Sequence, residues 1–230
     1  MIDIFISKEI ADKCPNLHIL AIACHVKNTN SDEVLWEEIA SEEKLIRETV
    51  KLEQINKWLP IQATRQAYKY LGKDPNRYRP SAESLRRRIL RELPLYKVDT
   101  LVDLINLVSI HSGYSIGGFD LDKVKGDRLV LGVGRDGELY HGIGRGVLNI
   151  AGLPVYRDAI GGIGTPTSDE ERTKISLETS RLLMIINGYS GKEGLVEAGQ
   201  YALNLLSKYV SAINVEIRLI TEDSATELIL

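Results

Sequence analysis

Glycine is concentrated in one stretch of this 230-residue chain, and that stretch limits the fold more than any other feature. Fourteen of the 19 glycines fall between Gly113 and Gly164, interleaved with short apolar runs such as Leu129 to Val133. Glycine weakens a helix interior and permits tight turns and close approach of the backbone to other groups. The sequence therefore predicts short strands joined by tight turns here.

Regular elements are predicted before this stretch. Alternating isoleucines at residues 2–6 indicate a strand, and the apolar run over 17–26 is typical of a second, buried strand. A helix should follow, with Ser31 as its cap and Pro60 as its end, and a second helix should cover 61–71.

Further helices are predicted in the middle of the chain. Ser81 is expected to cap one that ends at Leu93-Pro94, and another covers Leu101 to His111. Its apolar stripe would leave Asp103 and Asn106 beside a groove. After the glycines, the expected elements are a strand over 182–186, a helix over 193–209 and a half-exposed strand over 213–219. Because helices and strands mix without a βαβ repeat, we predict an α+β fold class with mixed sheets and packed helices.

Composition limits the compartment and the cofactors. With 43% apolar residues, the chain can bury one substantial core or two small ones. No apolar run approaches the roughly 20 residues of a membrane span, and charged residues interrupt the first apolar patch where a secretory signal would continue. Cys14 and Cys24 are expected to be reduced thiols. We therefore expect a cytoplasmic protein without membrane contact, metal or cofactor, since the four histidines lack metal-ligand spacing.

Charge is unevenly distributed. The net charge of −3 argues against a broad nucleic-acid-binding surface. Locally, however, arginines crowd one segment, at Arg77, Arg79, Arg86, Arg87, Arg88 and Arg91. Two interpretations stay open: that Arg86, Arg87, Arg88 and Arg91 contact RNA phosphates, or that they form a solvated helix face.

Three motifs stand in order in the middle of the chain. They are Asn76 to Ser81 (NRYRPS), Leu101 to Val108 (LVDLINLV) and Gly117 to Gly126 (GGFDLDKVKG), followed by Ala159 to Gly162 (AIGG). This series resembles the tRNA-editing B3/B4 domain of the phenylalanyl-tRNA synthetase β subunit. The segment Glu170 to Ile175 resembles stand-alone proteins of the same family, so the likeness extends over nearly the whole chain. We interpret residues 1–230 as one B3/B4-like domain, with an N-terminal strand and helical part (1–75), a motif-bearing core (76–221) and a tail (222–230).

The resemblance implies hydrolysis of a wrong aminoacyl group, typically tyrosyl, from the 3′ end of a phenylalanine tRNA. Asn106 matches the family's pocket asparagine and is expected to bind substrate. Gly161 and Gly162 match a turn whose backbone approaches the amino acid. Near that turn, Asp158 would hold a substrate ammonium group or pair with Arg157 or Arg172.

The chain departs from the family pattern at two positions. Gly117 stands where the family has histidine, and Gly144 falls where the synthetase has the glutamate that meets a tyrosyl hydroxyl. A pocket without a hydrogen-bonding partner discriminates poorly for a phenol. Beside Gly144, Arg145 is a candidate to bind a carboxylate or phosphate.

Three classes of function stay open. The chain is a trans-acting hydrolase of mischarged tRNA, a non-catalytic module that binds tRNA or a synthetase, or a protein that binds a free amino acid. Its expected partners are thus an aminoacyl-tRNA 3′ end or an amino acid. With no nucleotide-binding signature, it is not expected to charge tRNA by itself.

Overall fold

A computed structural model describes residues 1–229 and shows helices and several sheets, which confirms the predicted α+β class. The helices are α1 (Lys8–Lys13), α2 (Glu33–Thr49), α3 (Leu59–Tyr70), α4 (Ser81–Leu90), α5 (Thr100–Ser112) and α6 (Leu195–Val210). Short 3-10 helices cover Leu52–Lys57 and Glu171–Thr173. The strands are β1 (Asp3–Ile6), β2 (His18–His25), β3 (Ile116–Asp120), β4 (Arg128–Val133), β5 (His141–Gly142), β6 (Gly146–Val147), β7 (Pro154–Arg157), β8 (Gly162–Gly164), β9 (Arg181–Gly188), β10 (Ile213–Ile220) and β11 (Ala225–Glu227).

These strands form two main sheets and a hairpin. The central sheet has the strand order β11-β10-β2-β9-β3, and all its neighbours are antiparallel. The outer sheet has the order β1-β4-β7-β8, in which only β1 and β4 are parallel. β5 and β6 pair with each other in a small hairpin that lies between β4 and β7 in the sequence.

The core lies on both faces of the central sheet. Side chains alternate across a strand, so Leu20 and Ile22 of β2 face the helices while Ile19 and Ala21 face the outer sheet. All four are fully buried. This double burial explains why β2 is a continuous apolar run, as the sequence analysis predicted.

Two local predictions were wrong. Asp32, not Ser31, caps α2, because its Oδ1 accepts from the amides of Val34 at 2.9 Å and Leu35 at 3.0 Å. Pro60 does not end that helix, which stops at Thr49; it lies in the first turn of α3, where a missing N–H costs nothing.

The last long strand is also less regular than predicted. In β10, Ile213 and Val215 are 61% and 41% exposed, whereas Ile217 and Leu219 are buried. Asn214 between them has a φ of +52°, which breaks the alternation of the strand.

The two sheets meet at a seam that positions the candidate site. The edge strands are β3 of the central sheet and β8 of the outer sheet. The segment after β8 bridges both, since Asp169 pairs with Gly164 and Lys174 pairs with Phe119. We call this region, formed by β3, β8 and residues 165–174, the seam. Among residues 1–229, no helix combines the length and apolarity that crossing a membrane requires.

Candidate functional site

The glycines of the seam make room for the protein's own side chains. A Cβ atom on Gly117 would lie 2.7 Å from Cζ of Phe119, and one on Gly164 would lie 2.5 Å from the same atom. Gly162 likewise abuts Tyr140, at 2.9 Å from the added Cβ. At Gly117 and Gly162, therefore, internal packing already uses the space that the sequence analysis assigned to a substrate.

Two other predicted glycines have open space instead. A Cβ atom on Gly161 or Gly144 would meet no heavy atom within 4 Å. Gly144 has a φ of +66°, so the turn of the hairpin requires it, whereas Gly161 lies outside the positive-φ region. Of the predicted glycines, Gly161 is thus the one whose surroundings leave room for a ligand without another structural reason.

Asp169 is the polar side chain that the seam holds closest to Gly117. Its Oδ2 accepts from the amide of Gly118 at 3.2 Å. Its Oδ1 lies 3.5 Å from the Cβ position of Gly117 and 2.9 Å from that of Gly164. Among residues 1–229, no donor reaches Oδ1, and the residue keeps part of its surface exposed.

The environment of Asp169 changes its acidity. Burial of the carboxyl group raises its pKa to about 7. The hydrogen bond from the amide of Gly118 opposes this increase, because it favours the charged form. Such a group exchanges its proton at neutral pH, as a general base requires. Sequence analysis missed Asp169 because it belongs to no motif. In the sequence it is the first of three successive carboxylates, Asp169 to Glu171, shortly after the glycine turn.

The side chain of Asn106 is not engaged within the described part of the protein. It is half-buried on α5, and its side chain makes no hydrogen bond within the part of the chain that the structure describes. Its neighbour Ile105 reaches the seam, 2.7 Å from the Cβ position of Gly118. Asp103, by contrast, does not border a groove as predicted: it is fully buried and accepts from Trp36 Nε1 at 2.8 Å.

Asp158 is occupied by internal partners. Arg172 donates to both carboxylate oxygens, at 2.8 and 2.9 Å, and the amides of Lys125, Ile160 and Gly161 add three more bonds. Burial alone would raise the pKa of Asp158, but these donors lower it below its usual value. The geometry favours the structural interpretation of Asp158, which holds the Gly161 turn, over a substrate-ammonium contact.

The arginines of α4 do not form a free phosphate-binding face. Arg86 is 6% exposed, donates to Ile110 O at 2.8 Å and stacks on Trp58 at 3.4 Å from the ring centroid. Arg87 pairs with Glu83 at 2.8 Å, and Arg88 donates to a backbone carbonyl and stacks on Tyr96. Of the four predicted RNA contacts, Arg91 alone is exposed. The guanidinium of Arg86 closes the C-terminal end of α5, which favours a structural role for this residue.

A cavity of about 340 Å³ lies next to the seam. It is lined by Arg77, Tyr78, Arg79, Ser84, Arg145, Leu148, Asn149, Ile150, Leu153, Thr165 and Thr167. We call it the arginine cavity. Its lining contains three arginines and no carboxylate. Thr165 and Thr167 connect it with the seam, because they belong to the same turn as Asp169.

The remaining candidates do not form a site. Cys24 is buried in the core as predicted, and burial raises its pKa to about 12, so it is not a nucleophile. The two histidines near the glycine-rich stretch lie apart: His111 packs between Glu42 and Tyr201, whereas His141 lies 3.9 Å from Glu170.

Helices, a central sheet and an outer sheet that meets it at the seam define the class of protein: an α+β domain. Residues 63–216, more than half of the chain, match the family model described as the B3/4 domain. The chain therefore belongs to the B3/4 domain family.

One solved structure supports the same fold. It is an N-terminal fragment of the phenylalanyl-tRNA synthetase β subunit from Pyrococcus horikoshii, with a TM-score of 0.54 and 13% sequence identity. The match covers 98% of this chain and 53% of that one, so the chain spans about half the length of the fragment. No curated protein matches the chain significantly. The resemblance to the synthetase B3/B4 domain is thus confirmed at the level of family and fold.

Proposed function

We propose that this protein acts on the ester bond that joins an amino acid to the 3′ end of a tRNA, and that it hydrolyses this bond in trans. The observation that carries the proposal is Asp169, a carboxyl group in the seam with one unpartnered oxygen and a pKa raised to about 7 by burial. A general base works best when its pKa lies near the operating pH.

The chemistry needs only water and this carboxylate. Asp169 accepts a proton from water while the water oxygen attacks the ester carbonyl carbon. The bond between that carbon and the ribose oxygen then breaks, and the proton passes to the ribose oxygen. The products are a free amino acid and an uncharged tRNA, and the carboxylate is restored.

Asn106 is the group that we propose to orient the aminoacyl moiety. Its amide lacks an internal partner among residues 1–229, and it is one residue from Ile105, which contacts Gly118 of the seam. An amide at this place holds the substrate by hydrogen bonds and contributes to rate through positioning.

The range of substrates is proposed to be broader than tyrosyl esters. Glycines at positions 117 and 144 supply no hydrogen bond for a phenol, and Phe119 fills the space beside Gly117. Because neither glycine has a side chain that could hydrogen-bond a hydroxyl, esters of several amino acids should be cleaved at similar rates. A cytoplasmic location, where tRNA is charged, accompanies this proposal.

The test is a deacylation assay with phenylalanine tRNA carrying tyrosine, phenylalanine or a smaller amino acid. The wild-type protein should release each amino acid, and Asn106→Ala should slow release without loss of folding. Asp122→Asn serves as the control and should release amino acid as the wild type does, since Asp122 is an exposed carboxylate paired with Arg181. RNA binding without release of amino acid by the wild type would contradict the proposal and support a non-catalytic module.

A further inference from the structure

We propose that the arginine cavity is a binding site for the phosphate group of a nucleotide. The inference goes beyond the proposed function, because it concerns a different set of residues and holds whether or not an ester is cleaved. The nucleotide is either the end of an RNA strand or a free mononucleotide, and the two share the chemistry that the cavity recognises.

Positive charge is concentrated around the arginine cavity. Arg77 and Arg79 precede α4, while Arg145 comes from the β5–β6 hairpin, so two separate segments bring three guanidinium groups to one cavity. Within the described part of the chain, none of the three forms a salt bridge, although most other arginines do. Cations gathered without carboxylates repel one another, and a bound anion relieves that repulsion.

A fourth cation, Lys73, lies behind the residues that line the arginine cavity. Lys73 is 8% exposed, and its Nζ donates to the carbonyls of Asn149 and Ala151 at 2.9 and 2.7 Å. The same ammonium group lies 3.8 Å from the ring centroid of Tyr78. Burial, and then the charge of Arg77, lower its pKa. A buried cation whose partners are neutral carbonyls adds to the positive potential of the cavity.

The neutral polar lining fits the same ligand. Ser84 lines the cavity from the first turn of α4, where the helix dipole is positive, and the side-chain NH2 group of Asn149 adds a donor. The one acid in that turn, Glu83, is fully buried and neutralised by Arg65 and Arg87, so it does not oppose an anion.

Size and shape indicate more than a bare phosphate ion. A volume of about 340 Å³ is in the range of small-ligand sites and far exceeds one phosphate group. The remaining wall is apolar, from Leu148, Ile150 and Leu153, and suits a sugar or base. Three guanidinium groups also match the charge of a phosphate group. A carboxylate needs only one arginine, because a single guanidinium group binds it bidentately.

Isothermal titration of the full chain with 5′-AMP, adenosine and the trinucleotide CCA tests the site. The phosphate-bearing ligands should bind, adenosine should bind at least about tenfold more weakly, and Arg79→Ala or Arg145→Ala should weaken AMP binding about tenfold. Arg145→Lys should recover part of the affinity. Arg128→Ala, which removes an exposed arginine of β4, should change nothing.

The affinities of AMP and CCA show whether the cavity binds a free mononucleotide or the end of an RNA strand. Tighter binding of either one supports the site. Equal binding of adenosine and AMP would overturn the proposal. So would unchanged AMP affinity in both arginine variants, or binding of free phenylalanine or tyrosine with none of AMP. Thermal unfolding of each variant checks that these exposed side chains are not needed for folding. Because the assay measures binding only, its failure is separate from a failure to hydrolyse esters.

Discussion

The carboxyl group of Asp169 accepts a 3.2 Å hydrogen bond from the backbone amide of Gly118, and this bond joins the segment after β8 to the edge of the central sheet. The same carboxyl group lies beside Gly117, where the related synthetase motif has a histidine. A polar, titratable group is therefore present at this point of the seam, but it comes from a different part of the chain.

Replacement of Asp169 by asparagine should change how stability depends on pH. The pKa of Asp169 is raised to about 7 in the folded protein, so the folded state binds the proton more tightly than the unfolded state. This group's contribution is most favourable below about pH 4 and is lost as pH rises to about 7, by on the order of 2–4 kcal/mol. Asp169→Asn should lack that loss and be more stable than wild type above pH 7. Urea unfolding at several pH values measures the stability of both proteins. The same pH dependence of stability in wild type and variant would contradict the raised pKa of Asp169.

Loss of Asp158 should lower the free energy of unfolding. The contribution of Asp158 should depend on pH in the opposite way to that of Asp169. Its pKa is held below the usual value by Arg172 and three backbone amides, so its contribution is present at neutral pH and is lost as pH falls through the acid range. Asp158→Ala should cost about 2 kcal/mol or more at pH 7. If the variant were as stable as wild type and failed only to bind substrate, Asp158 would be a ligand-binding group after all.

The neighbouring glycines Gly161 and Gly162 should respond differently to alanine. A methyl group on Gly162 would lie 2.9 Å from Tyr140 and 3.1 Å from Val155, so Gly162→Ala should cost about 1–3 kcal/mol through overpacking. Gly161→Ala meets open space and should leave the melting temperature nearly unchanged. Thermal unfolding of the pair tests the packing. Reduced deacylation by the stable Gly161 variant would support its place beside a substrate, and equal destabilisation of both would contradict the packing described.

Arg86 should prove structural and Arg91 dispensable. Arg86→Ala removes a 2.8 Å bond to Ile110 O and the stack on Trp58, so a loss of about 2–3 kcal/mol is expected. Arg91→Ala removes an exposed side chain and should leave stability unchanged. Chemical unfolding measures both. Normal stability of Arg86→Ala together with weakened RNA binding would restore the RNA-contact interpretation of α4.

Features that depend on local pattern could be predicted from the sequence. The apolar run of β2, the helix after Thr100 and the ordered motifs were sufficient for the fold class and the family. Contacts between distant segments were not recoverable. Nothing near Arg86 in sequence indicates that it stacks on Trp58, and nothing near Asp169 indicates that it lies against Gly117. Glycine density correctly predicted close backbone approach, but composition does not reveal whether a ligand or Phe119 fills the space.

The role of Asp169 as the base for ester hydrolysis is tested most directly by the pH dependence of single-turnover deacylation. Other titratable groups near the seam are Tyr140, whose pKa is raised far above its usual value by burial and then by Asp169, and Glu170 with its neighbour His141. Asp120 of β3 is paired with Lys123 and does not face Asp169 with a free charge. We expect the wild-type rate to rise with pH to a plateau above about pH 7, and Asp169→Asn to lose about 100-fold or more of the rate together with that dependence. Hydrolysis by Asp169→Asn at the wild-type rate, with the same pH profile, would contradict the account.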